Sequence, residues 1–384
     1  MLPANERLLL GPGPSLISPR VMRALGAPML SHLDAQFVEI MDDLRARLAR
    51  IARAPEGSLA FAVSGTGTSG METAVANLVG RGTRVHCVVT GYFGDRLAQM
   101  CTRYGGTVTR VEAEWGRAID PEALRRSMKD TGADIVTIVH AETSTGVLND
   151  VQAVAAIARE HDALVIVDAV TSLGGMPLDA AAWQLDAVYS CSQKCLGAPS
   201  GVAPIIFSPR ALSRKVACRS FYFDLTLLED YWVRRKYHHT MSASLIYALR
   251  EALMIVEEEG LEVRWARHER NHRAFAAGLQ AMGLSLLPPE KERLWTLNAV
   301  TVPKGADEAA VRKHLLTRFN MEIGAGLGPL AGKIFRVGLM GSSSSAALVA
   351  LCLDALGDAL STQGVTVLPG LSPGAGTAAA LKVL

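Results

Sequence analysis

ALVIVDAV, residues 163–170, is aliphatic throughout except for Asp168. A run that stays apolar without alternating reads as a strand covered on both faces, the habit of a parallel sheet packed between helices. The same texture recurs on either side. LAFAVS (59–64), RVHCVV (84–89), VTRVEA (108–113), DIVTIVH (134–140), AVYSCS (187–192) and GVAPIIFS (201–208) alternate with segments of helical length such as 151–161. Strand–helix alternation of this kind predicts an α/β fold with a mostly parallel seven-stranded sheet flanked by helices. Beyond about residue 210 the pattern changes to long helical stretches (242–260 and 262–282), a β-rich piece (295–302), a helix (306–319) and the strand-like KIFRVGLMG (333–341). The expected organisation is an extended N-terminal segment (1–16, ending in GPGP), a large α/β domain (17–261) and a smaller α+β C-terminal domain (262–361). A flexible Gly/Pro-rich tail is expected over 362–384.

Charge narrows the range of partners. The 384 residues carry 39 basic and 37 acidic side chains, with no block of one sign. That excludes the electrostatic footprint of nucleic-acid or anionic-membrane binding and favours a small-molecule partner. The six cysteines form no CxxC pair and read as reduced thiols of a cytoplasmic protein. MLPANERLLLGPGP lacks the apolar core of a secretory signal, and Asp354 interrupts the apolar run near residue 350 too early for a membrane span.

Three places could carry chemistry together. SGTGTSGMETAVANLV (64–79) follows a strand and opens a helix, whose first N–H groups suit a phosphate. Residues 65–70 match GxGxxG, but a dinucleotide site needs an acidic residue ending the next strand, and RVHCVVTG has none. A phosphate of another cofactor, or a glycine turn without ligand, remains. Asp168 ends its strand where open α/β sheets collect ligands, although an Asp capping the turn into 171–175 would look the same. Lys194, in SQKCLGAPSG (192–201), follows the next strand by a spacing that can bring both side chains to one rim. Phosphate loop, rim carboxylate and rim lysine, in that order, are the parts that pyridoxal phosphate (PLP) needs. The lysine forms a Schiff base, the carboxylate keeps the pyridine nitrogen protonated, and the helix N-terminus holds the phosphate.

Arg336, among apolar neighbours in KIFRVGLMG, needs an anion, either a substrate carboxylate or an internal salt bridge. Phe93 either packs in the core or stacks on a flat ring. His140 and Glu142 read as strand-end hydrogen-bonding groups. His238 and His239 are adjacent, point apart and have no carboxylate cluster, so no metal site is expected.

Together these residues resemble the class V aminotransferases of PLP fold type I, in the alanine/serine–glyoxylate branch. The likeness runs from LLLGPGPS (8–15) to about residue 360, through SGTGTSGMETA, HAETSTGV (140–147), VDAVTSLGG (167–175), SQKCLGAPSG, YHHT (237–240) and GPLAGKIFRVGLMG (328–341). It implies that Lys194 holds PLP and Asp168 pairs with its ring nitrogen. Thr66, Gly67, Thr68 and Gln193 would cradle the phosphate. Phe93, where the family usually has tryptophan, would cover one ring face, Val170 the other, and Thr143 would reach the phenolic oxygen. Arg336 would bind the substrate carboxylate. Tyr237 and Thr240 would extend into a neighbouring subunit's phosphate site, which implies a homodimer.

EWGRAIDPEAL (114–124), SFYFDLTLLEDYW (220–232) and GPLAGKIF look most like the ureidoglycine–glyoxylate aminotransferases. That subfamily has glutamine where this chain has His32 and asparagine where it has Tyr237, amides that match a ureido group. His32 and Tyr237 resemble the enzymes that use alanine or serine. Specificity resides in the site rather than the scaffold, so alanine is the expected donor, with serine next and ureidoglycine the alternative. A cysteine desulfurase-type lyase shares the fold but needs a loop cysteine shortly before the arginine, and GAGLGPLAGKIFR (324–336) has none.

Overall fold

The structure is a computed structural model that describes residues 6–365 and 374–384. Its main sheet has seven strands: β1 (Leu59–Gly65), β2 (Arg84–Val89), β3 (Thr107–Glu112), β4 (Ile135–Val139), β5 (Leu164–Asp168), β6 (Ala187–Tyr189) and β7 (Gly201–Phe207). They lie in the order β1-β7-β6-β5-β4-β2-β3, and β7 alone runs antiparallel to its neighbours. Every residue of β4 and β5 is buried, which explains their unbroken apolar sequences. Each fully buried Val, Leu or Ile contributes about 1.5–3 kcal/mol relative to exposure. The six like-directed strands end at one edge of the sheet, so Gly65, Val139, Asp168 and Tyr189 share a rim.

A second hydrophobic cluster is built on the helices Leu261–Ala281, Glu308–Phe319 and Ala346–Ser361. They cover a small antiparallel sheet of β8 (Leu297–Thr301), β9 (Gly324–Ala325) and β10 (Ile334–Gly338), with β10 in the middle. The N-terminal segment belongs to this cluster too. Leu8 and Leu9 pair in parallel with Met321 and Glu322, and Leu10 is fully buried. From there the GPGP stretch crosses to the main sheet, where Ser15 N–H donates to the Gln193 carbonyl at 2.9 Å. Residues 1–5 of the expected extended segment lie outside the described residues.

The expectation of a flexible tail is corrected for residues 375–381. They form a helix against Leu261–Ala281 and Ala346–Ser361, and Ala380 is fully buried. The small residues that suggested disorder permit close packing instead. A Cβ on Gly278 would lie 2.9 Å from the Gly376 carbonyl, and one on Gly376 would lie 2.6 Å from the Met282 sulfur. Residues 366–373 of the same stretch lie outside the described residues.

Candidate active site

The rim of the main sheet opens into a cleft, and nine of the sequence-derived site residues line it: Thr66, Gly67, Thr68, Phe93, Thr143, Asp168, Val170, Gln193 and Lys194. Strand ends, the turns after them and the first turns of the helices Gly67–Leu78 and Tyr92–Arg103 deliver all nine. Thr66 is the N-cap of the helix Gly67–Leu78, but its side chain makes no capping bond. Its carbonyl instead accepts the N–H groups of Ser69 (2.8 Å) and Gly70 (3.2 Å). Glycine is required at 67, because a Cβ there would lie 2.7 Å from Val170 Cγ2. The helix N-terminus thereby closes directly on the residue that follows the β5 turn.

Asp168 is buried at the tip of β5. Its Oδ2 accepts from the Tyr189 hydroxyl and its Oδ1 from the Val170 N–H, each at 2.9 Å. Burial pushes this carboxyl up to about 7, against the opposing pull of those two donors. Tyr189 escaped the sequence reading, since only the β5–β6 register, which sets Asp168 opposite Tyr189, brings the pair together.

Lys194 lies in the turn after β6. Its amine donates to the Pro12 carbonyl, and its own carbonyl accepts from Ser15 Oγ at 2.8 Å. A side chain at Gly13, which has a φ of +109°, would collide with the lysine stem. The GPGP segment therefore packs against the lysine side chain as well as turning the chain. Burial lowers the Lys194 pKa, and the positive charge of Arg336 lowers it further.

Arg336, on the central strand β10, is 7% exposed. Its Nε donates to the Ala325 carbonyl at 2.6 Å and its Nη1 reaches the Thr143 carbonyl at 3.4 Å. It forms no ion pair among the described residues, which removes the internal salt-bridge alternative. Burial brings its pKa down to about 10. A cation held this way, by carbonyls alone, is poised for an anion from outside the chain.

A phosphate-type loop, a rim carboxylate and a rim lysine thus meet in one cleft, and a buried arginine lies behind it, against the Thr143 carbonyl. Residues 14–336 match the family model for class V aminotransferases. The chain belongs to the class V aminotransferases. Over 360 residues the enzyme is 38% identical to the (S)-ureidoglycine–glyoxylate transaminase of Bacillus subtilis, covering 88% of this chain and 86% of that one. The crystal structure of the ureidoglycine–glyoxylate aminotransferase from Bacillus subtilis superposes with a TM-score of 0.95, covering 100% of this chain and 99% of that one at 38% identity. The alanine–glyoxylate aminotransferase of Nostoc sp. gives a TM-score of 0.91 at 42% identity, over 94% of this chain and 96% of that one. The fold family is PLP-dependent.

The aminotransferase keeps His32, Tyr237 and Thr240 out of its own cleft. His32 and Tyr237, distant in sequence, sit side by side with ring centroids 5.6 Å apart. Tyr237 is 65% exposed, and the exposed Phe221 stacks on the next residue, His238, with ring centroids 5.3 Å apart. Glu142 has the strand-end role read from the sequence: fully buried, it accepts from Gly94 N–H (3.0 Å), Phe93 N–H (3.2 Å) and Ser144 Oγ (2.6 Å). It thereby fixes the start of the helix Tyr92–Arg103 and the position of Phe93. His238 and His239 meet through their Nδ1 atoms at 2.7 Å. No group of three or more His, Cys, Asp or Glu among the described residues is arranged to hold a metal. No described helix is long and apolar enough to cross a membrane. Arg96 also lines the cleft and was not singled out by the sequence.

The Asp168 environment has a measurable consequence. Its pKa is raised in the folded chain, so its contribution to stability is complete below the unfolded value near 4 and is lost as pH rises to about 7. In the cofactor-free protein, Asp168→Asn is expected to flatten the fall of Tm between those limits. Equal pH slopes for variant and wild type would assign the fall to other groups.

Proposed function

We propose that this chain is a PLP-dependent transaminase that moves an amino group from a small amino acid, alanine first and serine next, to glyoxylate, yielding glycine and a 2-keto acid. The observation that carries the proposal is that the Lys194 amine lies in the cleft and the Arg336 guanidinium lies beside it, against the carbonyl of the lining residue Thr143, neither cation paired with a carboxylate among the described residues. The residues fit PLP. Asp168 is a buried carboxyl short of a cationic partner, Gly67 leaves room that a Cβ would fill, and the Lys194 pKa is depressed.

In this reading Lys194 holds the cofactor, Asp168 pairs with its ring nitrogen, and Thr66, Gly67, Thr68 and Gln193 take its phosphate. Phe93 and Val170 cover the two ring faces, and Thr143 reaches the phenolic oxygen. Bound PLP supplies a carbonyl carbon for the donor amine and a conjugated ring that withdraws electrons. The chain supplies the rest. Arg336 binds the carboxylate of each small acid and orients its Cα toward Lys194. Once freed, Lys194 Nζ would take the Cα proton as base and return a proton as acid; its lowered pKa leaves more of the free amine for this task. Glyoxylate reverses the sequence and leaves as glycine.

The proposed enzyme is a homodimer, with Tyr237 and Thr240 completing the neighbour's phosphate site; their place outside their own cleft supports this. Its six free thiols fit a cytoplasmic location. Cys352 is buried in the helix Ala346–Ser361, so the lyase reading finds no mobile thiol there.

The second reading, (S)-ureidoglycine as donor, is favoured by the 38% identity to the Bacillus subtilis transaminase. His32 and Tyr237 count against it, since neither presents the adjacent carbonyl acceptor and NH2 donors of an amide. Steady-state kcat/KM with glyoxylate and each donor tests the choice. Alanine is expected to lead, and His32→Gln with Tyr237→Asn is expected to move preference toward ureidoglycine by about tenfold or more. An unchanged preference would remove both residues from the specificity pocket.

A further inference from the structure

We infer that Arg96 is a further cofactor-binding residue, whose guanidinium takes the phosphate beside the head of the helix Gly67–Leu78; this rests on the PLP reading above. Arg96 stands on the helix Tyr92–Arg103, three and four residues after Phe93 and Tyr92. That spacing puts all three on one face, with the arginine stem leaning back over the rings. Its Cζ lies 5.4 Å from the Phe93 centroid and 5.1 Å from that of Tyr92. Two aromatic faces therefore restrict the guanidinium before any ligand arrives.

Its Nη1 donates to the Thr68 hydroxyl at 3.2 Å and its Nη2 to the Tyr92 hydroxyl at 3.5 Å. Thr68 belongs to the first turn of the helix Gly67–Leu78, the positive end of that helix dipole. The nearby carboxylate on its own helix, Asp95, is taken by Arg110 at 2.8 Å and by Gln99 at 2.6 Å. Arg96 forms no ion pair among the described residues. A guanidinium against a helix N-terminus sets positive beside positive, which is unfavourable unless an anion lies between them. The substrate carboxylate has its own cation in Arg336, on a different element. A phosphate fits here, because its oxygens can accept two parallel N–H bonds from Arg96 and others from the helix.

The test separates the phosphate from the ring. Dissociation constants for PLP and for pyridoxal, which lacks the phosphate, are measured by absorbance and protein-fluorescence titration on the full-length wild type, Arg96→Ala and Arg96→Lys. Arg96→Ala is expected to bind PLP roughly 10- to 100-fold more weakly, as for loss of a charged hydrogen bond, with pyridoxal unchanged and Arg96→Lys in between. Equal weakening of both ligands would mean that Arg96 only supports the Phe93 ring, and unchanged PLP binding would remove it from the site; either result overturns the inference. A wild-type chain that binds no PLP would overturn the functional reading itself, and this inference with it.

Discussion

Lys194→Ala is expected to lower transamination by roughly 10,000-fold, the upper range for removing a positioned acid–base group. The size follows from the geometry. Among the described residues Lys194 is the one amine in the cleft lining, and its surroundings lower its pKa while leaving its nitrogen no partner except the Pro12 carbonyl. On the proposed roles, losing it would remove both the covalent anchor and the base that moves the Cα proton. Thr66–Thr68, Asp168 and the ring-covering residues remain, so PLP is still expected to bind, now without a covalent link. Borohydride reduction followed by mass measurement reads this directly: the wild-type chain gains the mass of the reduced cofactor and the variant does not. Turnover at the wild-type rate would contradict the role of Lys194.

Arg336→Ala is expected to lower kcat/KM about 100-fold for the amino donor and by a similar factor for glyoxylate. Both substrates carry a carboxylate, and Arg336 is a buried cation held only by the carbonyls of Ala325 and Thr143. Arg336→Lys is expected to recover little, because a point charge cannot reproduce a bidentate fork. Neighbours set the burial cost of this cation: β8 and β9 flank it on either side of β10. Removing a charge that lacks a protein partner leaves no carboxylate stranded, so the variant should keep its Tm within a few degrees. A loss confined to the donor would show that glyoxylate is bound elsewhere.

The strands of the main sheet were legible because burial on both faces leaves an unmistakable run of apolar residues, as in β4 and β5. The direction of β7 was not. GVAPIIFS has the same texture as its parallel neighbours, and its reversal appears only in the pairing of Gly201 with Gly65 and Phe207 with Leu59. Asp168 and Lys194 were readable from strand-end position, whereas Tyr189 required the strand order. Arg96 was missed for a different reason: an arginine on an amphipathic helix ordinarily faces water. The signal that could have found it is its spacing from Tyr92 and Phe93. In the tail, glycine and alanine over 374–380 read as disorder, although the same small residues pack a helix closely against Leu261–Ala281. Composition reports what a segment can do locally, and here a neighbouring surface decided the outcome.

The most direct test is the visible spectrum of the purified enzyme with PLP, recorded alone, after L-alanine and then after glyoxylate. The account predicts that the band of the lysine-bound cofactor falls when alanine is added, with pyruvate released, and returns when glyoxylate is added, with glycine formed. A band that ignores alanine but responds to ureidoglycine would contradict the donor assignment. A protein that develops no such band with PLP would contradict the account at its centre, the role of Lys194.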